Sequence, residues 1–283
     1  MKLISIWSPL LGGTGGTVLA ATLPVLLSSE YRTRTLIIHG GRLGERVEQG
    51  LTAGPVSDLS VPAFEETGTG VLERLAATGR MTPDNLRDYT IPLLPDKLDL
   101  LPAHPDPRRL DEYARSCLME GIINRARRVY DVIIADAGSG AGTVEDREIM
   151  KASDLILVSM NQNSRSLEEM FAQGEVLSSA GIPLPNKPIG YVVGRYDAES
   201  RCTLQNIRRR FGVKGMLEGV PYSTDIADAW NTRNLLRCML RGRGGTGHKR
   251  ETPFYRAVRK TAETAAAQLG FPSAPALWNE RGA

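Results

Sequence analysis

The sequence predicts a doubly wound, mostly parallel α/β sheet flanked by helices, and three observations carry that prediction. Short apolar runs alternate with helical stretches from residue 2 to about residue 240 without a break. Two of those runs, 131–136 and 154–160, have solid apolar middles (Val132–Ala135 and Leu155–Val158), as strands covered by helices on both faces must have. The turn after the first run is Gly-rich, Ser8-Pro-Leu-Leu-Gly-Gly-Thr-Gly-Gly-Thr-Val18, and opens directly into a helical stretch. With 41% hydrophobic residues in 283, one doubly covered sheet has enough core material. The expected organisation is one α/β domain over 1–240, a basic Gly-rich linker over 241–250, a helix over 251–270 and a tail over 271–283.

In chain order, strand 2–7 leads through the Gly-rich turn to a helix near 16–30. Pro24 falls inside that helix and should kink or break it, because proline removes a backbone donor and clashes with the preceding turn. A strand at 34–39 follows the basic turn Tyr31-Arg-Thr-Arg. The stretch 42–90 is polar and punctuated by Pro and Gly, with short helices at 69–78 and 82–88. Strands at 89–93 and 98–101 form a pair. Helix 107–128 places Leu110, Tyr113, Ala114, Cys117, Leu118, Ile122 and Ile123 at helical spacing. The remainder reads as strand 131–136, helix 143–152, strand 154–160, helix 164–180, strand 188–194, helix 202–211, strand 215–220, helix 224–236 and a last helix 252–269. The tail carries Pro272, Pro275 and Trp278, which suits disorder or a docking peptide.

Bulk properties exclude several classes. The formal charge of +3 and pI of 8.8 do not by themselves mark a nucleic-acid protein. Cys117, Cys202 and Cys238 are odd in number and widely spaced, which argues against a disulfide framework or structural zinc and suits a reducing cytoplasm. His39, His104 and His248 share no metal-ligand spacing. The apolar run 18–27 is about half the length of a membrane span.

The Gly-rich turn has the strand–turn–helix context in which backbone N–H groups and a helix N-terminus cradle phosphate. It resembles the deviant phosphate loop of the ParA/MinD superfamily, Lys-Gly-Gly-x-Gly-Lys-[Thr/Ser], but Leu11 stands at the signature lysine and Gly16 at the phosphate lysine. Thr17 keeps the Mg²⁺-ligating hydroxyl. The resemblance extends over residues 1–240. Thr35-Leu-Ile-Ile-His39 resembles the strand that ends in an Asp-x-Asp pair, whose positions are His39 and Gly41 here. Tyr130-Asp-Val-Ile-Ile-Ala-Asp136 resembles the strand with the terminal switch aspartate, and Asp136 is retained. Ile189-Gly-Tyr-Val-Val-Gly-Arg-Tyr-Asp197 resembles a strand ending Asn-Arg-Tyr-Asp, with Gly194 at the asparagine that reads adenine. This element, with Thr203-Leu-Gln-Asn-Ile-Arg-Arg-Arg-Phe-Gly and Gly219-Val-Pro-Tyr-Ser, is most similar to the TadZ/CpaE group of pilus-assembly localisation factors. Many members of that group carry an N-terminal receiver-like domain, whereas this sequence opens on its first strand.

The resemblance implies a degenerate, hydrolysis-deficient member acting as a localisation or scaffolding factor for Tad-type pilus assembly. It implies no nucleotide, or weak ATP or ADP with Mg²⁺, held by Gly12, Gly13, Gly15, Gly16, Thr17 and Asp136, with Thr17 as the metal ligand and no catalytic residue. A charged hydrogen bond contributes about 1.5–3 kcal/mol, so losing the lysine costs about one to two decades in affinity. In a plainer reading, Asp136 only caps the Gly-rich turn after it, and His39 only hydrogen-bonds locally. In the active family the phosphate-loop faces meet across a dimer. The apolar Pro9, Leu10 and Leu11 sit at that crossing point and suggest a constitutive homodimer, the alternative being that they fold back on the 42–60 stretch. Other expected partners are pilus-assembly or secretion-machine proteins. Weak non-specific DNA or peripheral membrane contact could run through Arg208, Arg209, Arg210, Arg233, Arg237, Arg241, Arg243, Lys249 and Arg250 if these form one basic surface. The expected location is the cytoplasm or the inner face of its membrane. Two alternatives stand beside this reading: an active, ATP-dependent dimerising ATPase, and a DNA-partitioning or conjugative-element protein.

Overall fold

The structure is a computed structural model and describes residues 1–31, 33–40, 47–52, 68–103, 110–172, 187–242 and 251–271. β1 (Lys2–Ser8) is followed by α1 (Gly16–Glu30), β2 (Thr35–His39), α2 (Val47–Leu51), α3 (Thr69–Ala77) and α4 (Pro83–Leu86), the last running into a 3₁₀ turn at Arg87–Tyr89. Then come β3 (Ile91–Leu94), β4 (Leu98–Leu100), α5 (Glu112–Val129), β5 (Val132–Ser139), α6 (Val144–Ala152), β6 (Leu155–Met160) and α7 (Ser164–Ala172). The chain closes with β7 (Ile189–Gly194), α8 (Leu204–Phe211), β8 (Leu217–Val220), α9 (Thr224–Asn231), α10 (Leu235–Arg241) and α11 (Pro253–Gln268).

The eight strands form one sheet in the order β3-β4-β2-β5-β1-β6-β7-β8. Every neighbouring pair is parallel except β3 with β4. Parallel pairing requires a crossover after each strand, and helices on both faces supply it. Alternation along β1 feeds two core layers. Ile4 and Ile6 pack with Leu19, Leu23 and Leu26 of α1 on one face, whereas Leu3 and Trp7 pack with Ile122 of α5 and Ile149 of α6 on the other. A fully buried Leu or Ile contributes about 1.5–3 kcal/mol by leaving water, so these layers dominate stability.

Local signals set most helix starts. Asp111, Thr143, Thr203, Ser223 and Thr252 each accept a hydrogen bond from a first-turn N–H of the helix they precede. Three sequence expectations are corrected. α1 runs unbroken through Pro24, because residues 19–28 are buried throughout and core packing outweighs the lost backbone bond. The helix expected over 224–236 is two helices, α9 and α10, divided at Thr232–Asn234, where Arg233 takes a left-handed backbone with φ 57°. The helix expected from 107 starts at Glu112, after the Asp111 cap. α2 was not expected at all. The second half of helix 164–180, linker residues 243–250 and the tail residues 272–283 lie outside the described residues, as do Gly41, His104 and His248. α11 buries Phe254, Tyr255, Val258, Ala262 and Ala265 in the core layer it shares with α1.

The basic helices are separated by the sheet. Ile207 of α8 packs in the α5/α6 layer, while Leu235 and Met239 of α10 pack in the α1 layer. Arg208 donates to the Gly215 carbonyl, and Arg210 pairs with Glu168 and lies over the Phe211 ring. The arginines of α8 and α10 therefore do not combine into one surface. Arg243, Lys249 and Arg250 lie outside the described residues.

Candidate nucleotide site

The site forms at the carboxyl edge of the sheet, where β1 lies between β5 and β6. Loop residues 9–15 connect β1 to α1, and Gly12, Gly13 and Gly15 all hold φ between 74° and 76°, a left-handed backbone that any residue with a Cβ resists. α1 begins with Gly15 as its cap and has no side chain closing its first turn. Its N-terminal N–H groups therefore face the loop cavity with the positive end of the helix dipole. The loop is pinned from below. Ser159 of β6 donates its hydroxyl to the Thr14 carbonyl at 2.8 Å, Gly140 N–H donates to Ser8 O at 2.8 Å, and the Trp7 indole donates to Gly140 O at 3.0 Å.

Two cavities meet at this loop. The first, about 300 Å³, is lined by Gly12, Gly13, Gly15, Gly16, Thr17, His39, Asp136, Asp146 and Arg195, among others. The structure thus brings every predicted binding residue to one cavity. The second, about 190 Å³, is more apolar and is walled by Val18, Val192, Val220, Tyr222, Ile226, Trp230 and Phe254. Thr14, Gly15, Val18 and Arg195 border both. Gly194 explains how closely they join. A Cβ added there would lie 1.9 Å from the Thr14 carbonyl oxygen, so the loop rests directly on the end of β7. Gly16, in contrast, has ordinary room, with a built Cβ 3.4 Å from that of Ser159.

At the β5 end, Asp136 accepts from Gly138 N–H at 3.1 Å and from the Thr17 hydroxyl. Burial raises its pKa, opposed by those two hydrogen bonds and by His39. The plainer reading, Asp136 as a cap of the following turn, is thus observed together with a contact to the loop helix. At the β2 end, His39 sits directly abreast of Asp136 in the sheet register. Its Nε2 lies 2.6 Å from Glu48 Oε1, and both side chains are buried. Glu48 also accepts from Ala103 N–H at 2.9 Å. Burial would raise the Glu48 pKa, but the charge and hydrogen bond of His39 overcome it and hold the acid at about 2.

The loop tip is apolar and open. Leu11 is 80% exposed, and Pro9 and Leu10 are half-buried, so Leu11 does not fold back onto the chain. Among the described residues no three His, Cys, Asp or Glu side chains gather as metal ligands. Sequence reasoning missed Glu48, which sits in a polar stretch with no periodic signal. It passed over Arg195 too, although Gly194-Arg195-Tyr196-Asp197 was the local pattern that could have marked it.

No family model and no curated protein sequence matches the chain. Solved structures do. A ParA family ATPase from Chlorobium tepidum superposes with a TM-score of 0.69 at 18% identity, over 92% of this chain and 98% of the other. The fold is that of the ParA and MinD ATPases. The MinD protein of Pyrococcus horikoshii, complexed with Mg-ADP, gives 0.67 at 19% identity over 95% and 97% of the two chains. A chain of the MinC:MinD cell division protein complex of Aquifex aeolicus gives 0.63 at 18% identity over 98% and 99% of the two chains.

Proposed function

We propose that this protein is a hydrolysis-deficient relative of the ParA and MinD ATPases that works as a localisation or scaffolding factor. One observation carries the reading: the cradle keeps its backbone donors and the Thr17–Asp136 contact, but the abutting β2 end offers a buried His39–Glu48 pair, Nε2 to Oε1 2.6 Å, rather than an open carboxylate. The loop fits a phosphate group, because its N–H groups and the Thr17 hydroxyl converge where α1 begins. Gly12, Gly13, Gly15, Gly16 and Thr17 would hold ATP or ADP weakly, with Thr17 toward Mg²⁺. Gly16 supplies no charge to phosphoryl oxygens, and phosphoryl transfer depends on such preorganised charge.

The likeness of the 194–223 segment to the TadZ/CpaE group makes Tad-type pilus assembly the process proposed, with pilus or secretion-machine proteins as partners. The MinC:MinD complex supports a protein partner in general, since a protein of this fold assembles with one there. A homodimer joined through Pro9, Leu10 and exposed Leu11 is the proposed assembly. Among the described residues no helix is long and apolar enough to cross a membrane, and the cytoplasm or the inner face of its membrane is the proposed location.

Calorimetric titration with ATP and Mg²⁺, paired with a turnover assay against Thr17→Ala, tests the reading. Weak binding with turnover equal in both proteins is expected. Turnover that disappears in Thr17→Ala would establish a working ATPase instead.

A further inference from the structure

We propose that Arg195 is the cation that neutralises the ligand's phosphate in this lysine-free cradle, reaching it from the end of β7 rather than from the loop. The inference rests on the nucleotide-site reading above and adds the residue that gives that site its charge. Among the described residues, Arg195 is the one permanently charged cation lining the polar cavity. It borders the apolar cavity as well, so a ligand with an anionic group in one and a flat apolar body in the other passes its guanidinium.

Three further features fit this role. No carboxylate pairs with Arg195 among the described residues, although Asp136 and Asp146 line the same cavity, so its charge is available to a ligand. The guanidinium carbon lies 5.9 Å from the centre of the Tyr222 ring, which orients it without neutralising it. The Arg195 backbone is left-handed at φ 51°, a conformation that costs energy in a residue with a side chain and persists only where neighbours impose it. Those neighbours are identifiable: the loop carbonyl of Thr14 presses on Gly194, and Tyr196 N–H is tied to Val220 O at 2.9 Å. The same tight junction that excludes a side chain at 194 delivers a cation at 195. Arginine suits the task because its planar fork matches phosphate oxygens and keeps its charge at any physiological pH.

The test is calorimetry on the full chain with ADP, ATP and adenosine as separate titrants, for wild type, Arg195→Gln and Arg195→Gly. Loss of a charged hydrogen bond predicts about ten- to a hundredfold weaker binding of ADP and ATP in both variants, with adenosine unchanged. Arg195→Gly should also melt no lower than wild type, because glycine accepts φ 51° freely, so lost affinity cannot be put down to unfolding. If wild type binds ADP and both variants bind it equally well, Arg195 is not the phosphate cation while the nucleotide-site reading stands. If adenosine binding falls as steeply as ADP binding, Arg195 acts on the base side and the proposal is overturned. If wild type binds none of the three, the nucleotide-site reading fails and the proposal falls with it.

Discussion

The ends of β2 and β5 lie side by side at the sheet edge, with His39 paired to Asp136 in register, yet they have different chemistry. Asp136 accepts from Gly138 N–H within its own strand end and from Thr17 at the start of α1. His39 turns to Glu48, nine residues on, and the two share a buried hydrogen bond of 2.6 Å. A carboxylate at the first position could remain open to a ligand. A histidine held by its own glutamate has its Nε2 already engaged. The β2 end is clamped to α2 by this pair and the β5 end is tied to the first turn of α1, while both line the polar cavity.

The comparison is most severely tested at Glu48. Replacing Glu48 by Ala removes one member of a buried pair and should cost about 3 kcal/mol in urea unfolding, the typical loss for such a change. A cost below about 0.5 kcal/mol, the range of ordinary surface changes, would mean the clamp does not exist. The pH dependence sharpens this. Glu48 is held at about 2 against an ordinary 4.5, so it binds its proton less tightly when folded. Its contribution is fully present above about pH 4.5 and drains as pH falls toward about 2. The gap in unfolding midpoint between wild type and Glu48→Gln should therefore narrow across that window, and a gap independent of pH would contradict the pairing.

Asp136→Asn probes the other strand end and should behave in the opposite sense. Burial raises the Asp136 pKa, so its charged form is the strained one at neutral pH. The amide oxygen can still accept from Gly138, and stability should hold or rise by about 1 kcal/mol while nucleotide affinity falls. A loss of stability would make Asp136 a structural residue like His39 and erase the contrast. Gly16→Lys is milder. The built Cβ meets only ordinary contacts and lysine is a better helix former, so stability should rise by up to about 1 kcal/mol. Affinity for ATP should increase by one to two decades, with no turnover, since the β2 end still lacks its carboxylates. Turnover in Gly16→Lys alone would show that the His39–Glu48 pair is no obstacle.

The smallest folding effect belongs to Leu11→Glu, expected within about 0.5 kcal/mol because Leu11 is 80% exposed. Light scattering carries the information there: a wild-type dimer that Leu11→Glu dissociates supports the apolar loop tip as a contact. Two monomeric proteins would remove it.

The sequence by itself determined the strands, the Gly-rich turn and most of the helix starts, because each has a local cause. Central strands such as Leu155–Met160 are written as mainly apolar runs, and caps such as Thr143 and Ser223 act on the N–H three residues ahead. The convergence of Gly12, Gly13, Gly15, Gly16, Thr17 and Asp136 was also legible, since a parallel sheet with β1 beside β5 sends both strand ends to one edge. Only the tertiary structure decided the rest. Pro24 sits in a continuous helix because the surrounding core holds it there, which no local propensity can report. His39 meets Glu48, and Arg195 comes to border both cavities, through contacts set by packing: α2 bringing Glu48 to the end of β2, and the loop carbonyl resting on Gly194. Such meetings depend on where whole elements settle against one another, so spacing along the chain carries almost no record of them.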